Sequence, residues 1–143
     1  MLAKFKEMLA GNVNKFSGRK DFLEAVCASC ALVAAADGSI DDSEVAQTIK
    51  VIASNPSLSS AFSSREIEGT AEQMLNRAGA GRTGRMGLYR EIEDIASDVE
   101  MCETVYLAAL DVADADGSVS DEEKAVLHKI ATSLKLDPKK YDV

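Results

Sequence analysis

The sequence ADGSIDDSE at residues 36–44 returns as ADGSVSDEE at residues 115–123. Both copies carry Asp-Gly, then Ser, then a branched aliphatic residue, and each has a Glu that follows the Asp by two helical turns. An Asp-Gly pair between two apolar helical patterns is typical of a tight turn. The two copies therefore predict two short acidic turns, each of which joins a pair of helices.

The similarity extends into the sequences on both sides of each turn. Residues 26–51 align with residues 105–130, and the identical pairs include Val33 with Val112 and Lys50 with Lys129. Each copy reads as a long helix of small residues, the acidic turn and a shorter amphipathic helix. We expect two pseudo-symmetric helix-turn-helix hairpins, with the turn aliphatics Ile40 and Val119 in the core.

The remaining sequence predicts an all-α protein, because apolar residues recur at helical spacing and no segment alternates with period two. We expect about seven helices in a single compact domain. It would contain an N-terminal helix and loop at 1–20, a first repeat at 21–54 and a second repeat at 100–134. The predicted helices cover residues 2–10, 21–36, 42–54, 64–78, 85–97, 98–114 and 121–134. The helix at 21–36 is rich in small residues, which places it at the centre of the fold.

A glycine- and arginine-rich segment lies at residues 79–85. Gly79 and Gly84 have the glycine spacing of a phosphate-binding P-loop, but Arg85 and Met86 stand where that motif needs a lysine and a hydroxyl residue. No predicted strand precedes the segment. We interpret it as a mobile basic loop, with anion binding as the lesser alternative.

Composition narrows the class of protein. The chain has 143 residues, of which 46% are hydrophobic, enough to build a folded core. Its formal net charge of −8 argues against nucleic acid as a partner. No apolar run reaches the roughly 18 residues of a spanning helix, and the N-terminus lacks signal-peptide features. We therefore expect a cytoplasmic protein with no direct membrane span.

Three cysteines, Cys27, Cys30 and Cys102, make a disulfide framework unsuitable because their number is odd. Cys27 and Cys30 have the spacing of a redox or zinc motif, but they fall inside an apolar helical pattern. No second cysteine pair follows, and His128 is the single histidine. We predict buried structural thiols. No nucleophile–base pair or cofactor motif appears, so we predict that the protein is not an enzyme.

The acidic turns have two interpretations. In the first they are purely structural. Gly38 and Gly117 fit the position just after a helix, and the residues at 41–44 and 120–123 have capping-box spacing. The protein is then a scaffolding module whose acids only cap helices.

In the second interpretation the turns bind a cation. An EF-hand register that places Gly117 at its sixth position puts Glu123 at the twelfth, but the first position is then Val112, which cannot ligate. Each turn alone is short of ligands. Two adjacent turns would form one acidic surface able to hold Ca²⁺ or Mg²⁺ through carboxylates and water. The candidate metal ligands are Asp37, Asp42, Glu44, Asp114, Asp116, Asp121 and Glu123.

The chain resembles the TerB family of tellurite-resistance proteins. The resemblance is carried by the two Asp-Gly turns, the distance between them, the all-helical pattern and the ending SLKLDPKKY at residues 133–141. It is strongest at residues 26–46 and 105–141 and weak at residues 57–95. The first turn departs from the family pattern, since Val45 stands where a lysine is usual.

The resemblance implies a non-enzymatic cytosolic protein of the tellurite-resistance and stress-response system. It further implies work at the inner face of the membrane with an integral membrane protein as partner. Acidic surface residues of the family are associated with divalent metal. At the matching positions these are Asp37, Glu44, Asp116 and Glu123, with Asp42 and Asp121 beside them.

Overall fold

A computed structural model describes residues 16–115 and 117–143. This part of the chain contains seven α-helices and no strand, so the all-α prediction is confirmed. The helices are α1 (Lys20–Ala34), α2 (Asp42–Ala53), α3 (Pro56–Ser59), α4 (Ser64–Ala78), α5 (Gly81–Glu93), α6 (Val99–Asp114) and α7 (Asp121–Leu134), followed by a 3-10 turn at Pro138–Tyr141. The predicted helix at residues 2–10 lies outside the described residues. The short α3, which Asn55 caps, had no counterpart among the predicted helices.

Helix α1 is the centre of the fold, as its small residues predicted. It contacts α2, α4, α5, α6 and α7, and all but a few of its side chains are buried. Just before it, Phe16 is buried and stacks on Phe22, with ring centroids 4.2 Å apart. The alanine and cysteine side chains keep α1 thin enough for several helices to surround it.

The long first helices of the two repeats, α1 and α6, pack against each other in this core. Ser29 is fully buried between them. Its hydroxyl donates to the carbonyl of Val26 at 2.8 Å and lies 3.5 Å from the carbonyl of Val105 on α6. The buried hydroxyl of Ser29 therefore has a hydrogen-bond partner in this contact.

Helix α2 is much less embedded than α1. Only Thr48 and Ile52 are buried along its length, although Val45, Ile49 and Val51 are partly buried against the core. It contacts α1, α4 and α6. Most of its surface is therefore accessible, including the first turn that follows the acidic loop.

The prediction of a mobile basic loop at residues 79–85 is wrong, because α5 begins at Gly81 and ends at Glu93. Two glycines of α5 lie against α4. A Cβ at Gly84 would overlap the backbone carbonyl oxygen of Arg77 on α4, and one at Gly87 would meet the Arg77 guanidinium. Glycine thus lets α4 and α5 approach closely, and the side chains of Arg77 and Glu91 pair across them at 3.1 Å.

Both acidic turns need glycine. Gly38 has a φ of 101° and Gly117 a φ of 87°, values that L side chains rarely adopt. Gly38 does not directly follow the helix, however, because α1 ends at Ala34 and Ala35 is its cap. The N–H of Gly38 instead donates to the carbonyl of Ala35 at 2.9 Å and closes a separate turn. Positive φ was predicted correctly, whereas the position relative to the helix end was not.

The branched aliphatic residues of the two turns, Ile40 and Val119, are partly buried against the core as expected. They anchor each turn to the helices below it. The pseudo-twofold relation between the two hairpins stays a prediction, as do the repeat boundaries.

Candidate functional site

The two acidic turns lie side by side. The hydroxyl of Ser120, in the second turn, donates to Oδ1 of Asp37, in the first, at 3.4 Å. Nearby, Nε2 of Gln47 on α2 donates to the carbonyl of Ala115, where the second turn begins, at 3.5 Å. Two long-range hydrogen bonds therefore join stretches that are far apart in sequence and similar in composition.

A small cavity of about 30 Å³ lies at this junction. Among the residues that the structure describes, three carboxylates line it, those of Asp37, Glu44 and Glu123. The rest of its wall is formed by Val33, Ala34, Gln47, Thr48, Val51, Val112 and Ala115. A space of this size holds about one water molecule or one ion.

The second turn places Glu123 through a complete capping box. The Ser120 hydroxyl accepts from the N–H of Glu123 at 3.1 Å, and Oε1 of Glu123 accepts from the N–H of Ser120 at 3.0 Å. Glu123 is only 7% exposed. This carboxylate therefore both caps α7 and faces the cavity, so capping and ligand binding do not exclude each other at this position.

The first turn places Glu44 through the cap of α2. Asp41 accepts from the N–H of Glu44 and from the hydroxyl of Ser43, both at 2.8 Å. These hydrogen bonds hold the pKa of the Asp41 carboxyl below its ordinary value of 3.8. Asp41 stays ionised as a cap, which fixes the first turn of α2 and with it the position of Glu44.

The other predicted ligands lie elsewhere. Asp42 and Asp121 are exposed in the first turns of α2 and α7 and do not line the cavity. Asp114 is exposed at the end of α6 and borders a different cavity, beside Val119. Asp116 lies outside the described residues. Of the seven predicted carboxylates, the structure brings Asp37, Glu44 and Glu123 to one place.

The side chains around the cavity suit a hard cation in their chemistry. The carboxylates, the Gln47 amide and the Thr48 hydroxyl all offer oxygen, the donor that Ca²⁺ and Mg²⁺ prefer, and no histidine or cysteine lines the wall. Within residues 16–115 and 117–143, no three acidic, histidine or cysteine side chains are gathered into a metal-holding group. The carboxylates thus border a common space without forming an assembled coordination shell.

Sequence reasoning missed Gln47 and Thr48. Both follow Glu44 by about one helical turn, so they lie on the same face of α2 as that carboxylate. Thr48 is buried, and its hydroxyl donates to the carbonyl of Glu44 at 2.8 Å. Their spacing from Glu44 was the available signal.

The cysteines are structural, as predicted. Cys27, Cys30 and Cys102 are buried free thiols. Burial raises the pKa of Cys30 to about 12 and that of Cys27 well above its ordinary value. A redox or zinc site needs the thiolate, which this environment disfavours.

The sequence resemblance was weak across the middle of the chain, where α3, α4 and most of α5 lie. The family model described as Tellurite resistance protein TerB matches residues 23–142, which include that region. This chain belongs to the TerB family. No curated protein and no solved structure matches it. The TerB match covers both acidic turns and every helix described here except the first residues of α1. Among the described residues of this TerB chain, no helix is long and apolar enough to cross a bilayer.

Proposed function

We propose that this TerB-family protein is a non-enzymatic component of tellurite resistance and stress response whose paired acidic turns bind Ca²⁺ or Mg²⁺. One observation carries the proposal: Asp37, Glu44 and Glu123 come from both turns and border a single ion-sized cavity. Carboxylates that turn toward one small space repel each other, and a divalent cation between them would offset that repulsion. Asp116 belongs to the second turn and is the fourth candidate ligand.

The cation would complete a site that is only partly organised. Ca²⁺ accepts six to eight oxygens in a flexible geometry, so exposed Asp37 and Glu44 can turn toward it and water can fill the remaining positions. A carboxylate accepts at both of its oxygens, which allows Glu123 to ligate while Oε1 keeps its capping hydrogen bond. Mg²⁺ demands stricter geometry and would retain more water.

We further propose that the acidic face, with its cation, docks onto an integral membrane protein of the tellurite-resistance system. The chain would then work in the cytoplasm as a peripheral protein of the inner membrane. Membership in the TerB family supports this placement. The net charge of −8 also favours basic partner surfaces over acidic ones.

Calorimetry on the full chain tests the cation site. We expect Ca²⁺ or Mg²⁺ to give saturable heat with the wild type, and the affinity to fall about tenfold or more in Asp37→Asn with Glu44→Gln, which removes two ligand charges. The matched control is Asp42→Asn with Asp121→Asn. It removes the same total charge, but from exposed side chains in the first turns of α2 and α7 that lie outside the cavity.

Equal losses in the two double variants would show that cations only screen the acidic surface, and would contradict a defined site. Absence of saturable heat in the wild type would favour the second candidate function, a scaffolding module whose acids only cap helices. The complete capping box of Ser120 and Glu123 is the observation that favours that alternative.

A further inference from the structure

A second, larger cavity borders the first acidic turn. Asp37 lines the small cavity between the two turns, while its neighbours Ala36 and Gly38 line this other space of about 570 Å³, which lies between α1, α5 and α7. We call it the basic cleft and define it by Arg82, Arg85, Met86, Tyr89, Val126 and Lys129.

The charge of the basic cleft opposes that of the molecule. None of the described residues that line it is acidic, although the chain carries a net charge of −8. Within the described segments, Arg82, Arg85 and Lys129 form no ion pair with a carboxylate. The ammonium of Lys129 instead lies 4.5 Å from the ring centroid of Tyr89. Three cationic side chains thus line a space that no carboxylate of residues 16–115 and 117–143 lines.

Helix stability does not explain this placement of positive charge. The N-terminus of α5 has no side-chain cap, and no acid stands in its first turn. Arg82 lies in that first turn, where the positive end of the helix macrodipole disfavours a cation. Helices α2 and α7, by contrast, begin with acids. An anionic ligand would account for the exception.

The basic cleft also offers apolar surface. Met86 of α5 is 47% exposed. Val126 of α7 and Leu32 of α1 line the same cleft. The volume falls in the range of about 300–1,000 Å³ typical of organic ligand pockets. A single inorganic anion would leave the apolar part of this wall uncovered, so the ligand should carry both negative charge and an apolar group.

We propose that the basic cleft binds an acidic segment of a partner protein. Its carboxylates would lie against Arg82, Arg85 and Lys129, and an apolar side chain would cover Met86 and Val126. Charge complementarity selects this occupant. An anionic bilayer suits it less, because the cleft is concave and a flat bilayer surface cannot enter it.

Fluorescence anisotropy with the full chain tests this binding, using a short fluorescein-labelled peptide of alternating glutamate and leucine at low salt in EDTA. The test variant is Arg85→Gln with Lys129→Gln. Its matched control is Arg90→Gln with Lys124→Gln, which removes the same charge from the same two helices outside the cleft. We expect affinity to fall about tenfold in the test variant and little in the control.

A second part of the experiment tests the contribution of the apolar wall. Met86→Ser is expected to weaken the peptide severalfold, and a peptide with serine in place of leucine should bind the wild type equally weakly. Added salt should weaken every ionic contribution. EDTA removes divalent cations, so this result is independent of cation binding at the acidic turns.

Three outcomes would overturn the proposal. Equal losses of peptide affinity in the test and control variants would mean that only long-range charge attraction holds the peptide. Binding to phosphatidylglycerol vesicles that the test variant abolishes, with no peptide binding, would assign the cleft to a membrane. Displacement of the peptide by inorganic phosphate at comparable concentration, with no effect of Met86→Ser, would assign it to a small anion.

Discussion

Tyr106 is fully buried, and the environment of its hydroxyl is unusual. Its hydroxyl, on α6, has no hydrogen-bond partner among the residues that the structure describes. The ring packs edge-to-face against Tyr141, with centroids 5.0 Å apart. Burial raises the pKa of Tyr106 to about 12, and the nearby Tyr141 adds to that shift. The aromatic contact stabilises the C-terminal turn on the core, while the hydroxyl carries a desolvation cost.

Replacing Tyr106 with phenylalanine should therefore not destabilise the protein. We expect Tyr106→Phe to leave the free energy of unfolding unchanged or to raise it by up to about 1 kcal/mol, because it removes an unsatisfied buried oxygen and keeps the ring. Urea unfolding followed by circular dichroism measures this. A loss of more than about 1 kcal/mol would show that a buried water serves the hydroxyl.

Single residues with a local role were predictable from sequence, and those with a tertiary role were not. The caps at Asp41 and Ser120 follow from spacing within one turn, so the pattern revealed them before any fold was known. The burial of Cys27 and Cys30 followed from the apolar helical pattern. The spacing of Gln47 from Glu44 indicates a shared helix face, but its hydrogen bond to the distant carbonyl of Ala115 depends on the tertiary fold.

At the scale of elements, the contact between α4 and α5 depends on glycine size rather than glycine flexibility. Gly84 lies against the backbone of Arg77. A Cβ at Gly87 would instead lie 2.7 Å from a guanidinium nitrogen at the far end of the Arg77 side chain. The high glycine content of residues 79–85 predicts a loop when only the local sequence is considered. The helix forms because its packing against the adjacent helix overrides that preference.

The two glycines should respond differently to the same substitution. We expect Gly84→Ala to lower the free energy of unfolding by about 1–3 kcal/mol, because its methyl group would force the helix backbones apart. Gly87→Ala should change it by less than about 1 kcal/mol, because the Arg77 guanidinium can move and alanine favours the helix. Thermal or urea unfolding of both variants makes the comparison. Equal effects would contradict a backbone contact specific to Gly84.

At the scale of the whole molecule, the sequence repeat was the most informative signal. It predicted two acidic turns, and the small residues of α1 predicted the helix that the others surround. The hydrogen bond between Ser120 and Asp37 places the two turns side by side. Which carboxylates line the cavity between them was not predictable, because Asp37 and Glu44 line it whereas Asp42, which lies between them in sequence, does not.

The distribution of buried surface predicts a molecule that opens unevenly. Helix α1 is almost entirely buried, whereas α2 buries only Thr48 and Ile52. Amide hydrogen exchange should therefore require global unfolding in α1 and only local opening in α2. We expect α2 amides to exchange at least about tenfold faster than α1 amides, a difference of about 1.4 kcal/mol in opening free energy.

Exchange of the full chain, followed residue by residue by nuclear magnetic resonance in EDTA, measures these opening energies directly. Helix α7 is the internal comparison, because it also follows an acidic turn but buries more of its length, including Leu127, Ile130 and Leu134. Its amides should be better protected than those of α2. Equal protection in α1, α2 and α7 would mean that the domain opens only as one unit, and that burial of the core helix extends its stability to the exposed acidic hairpin.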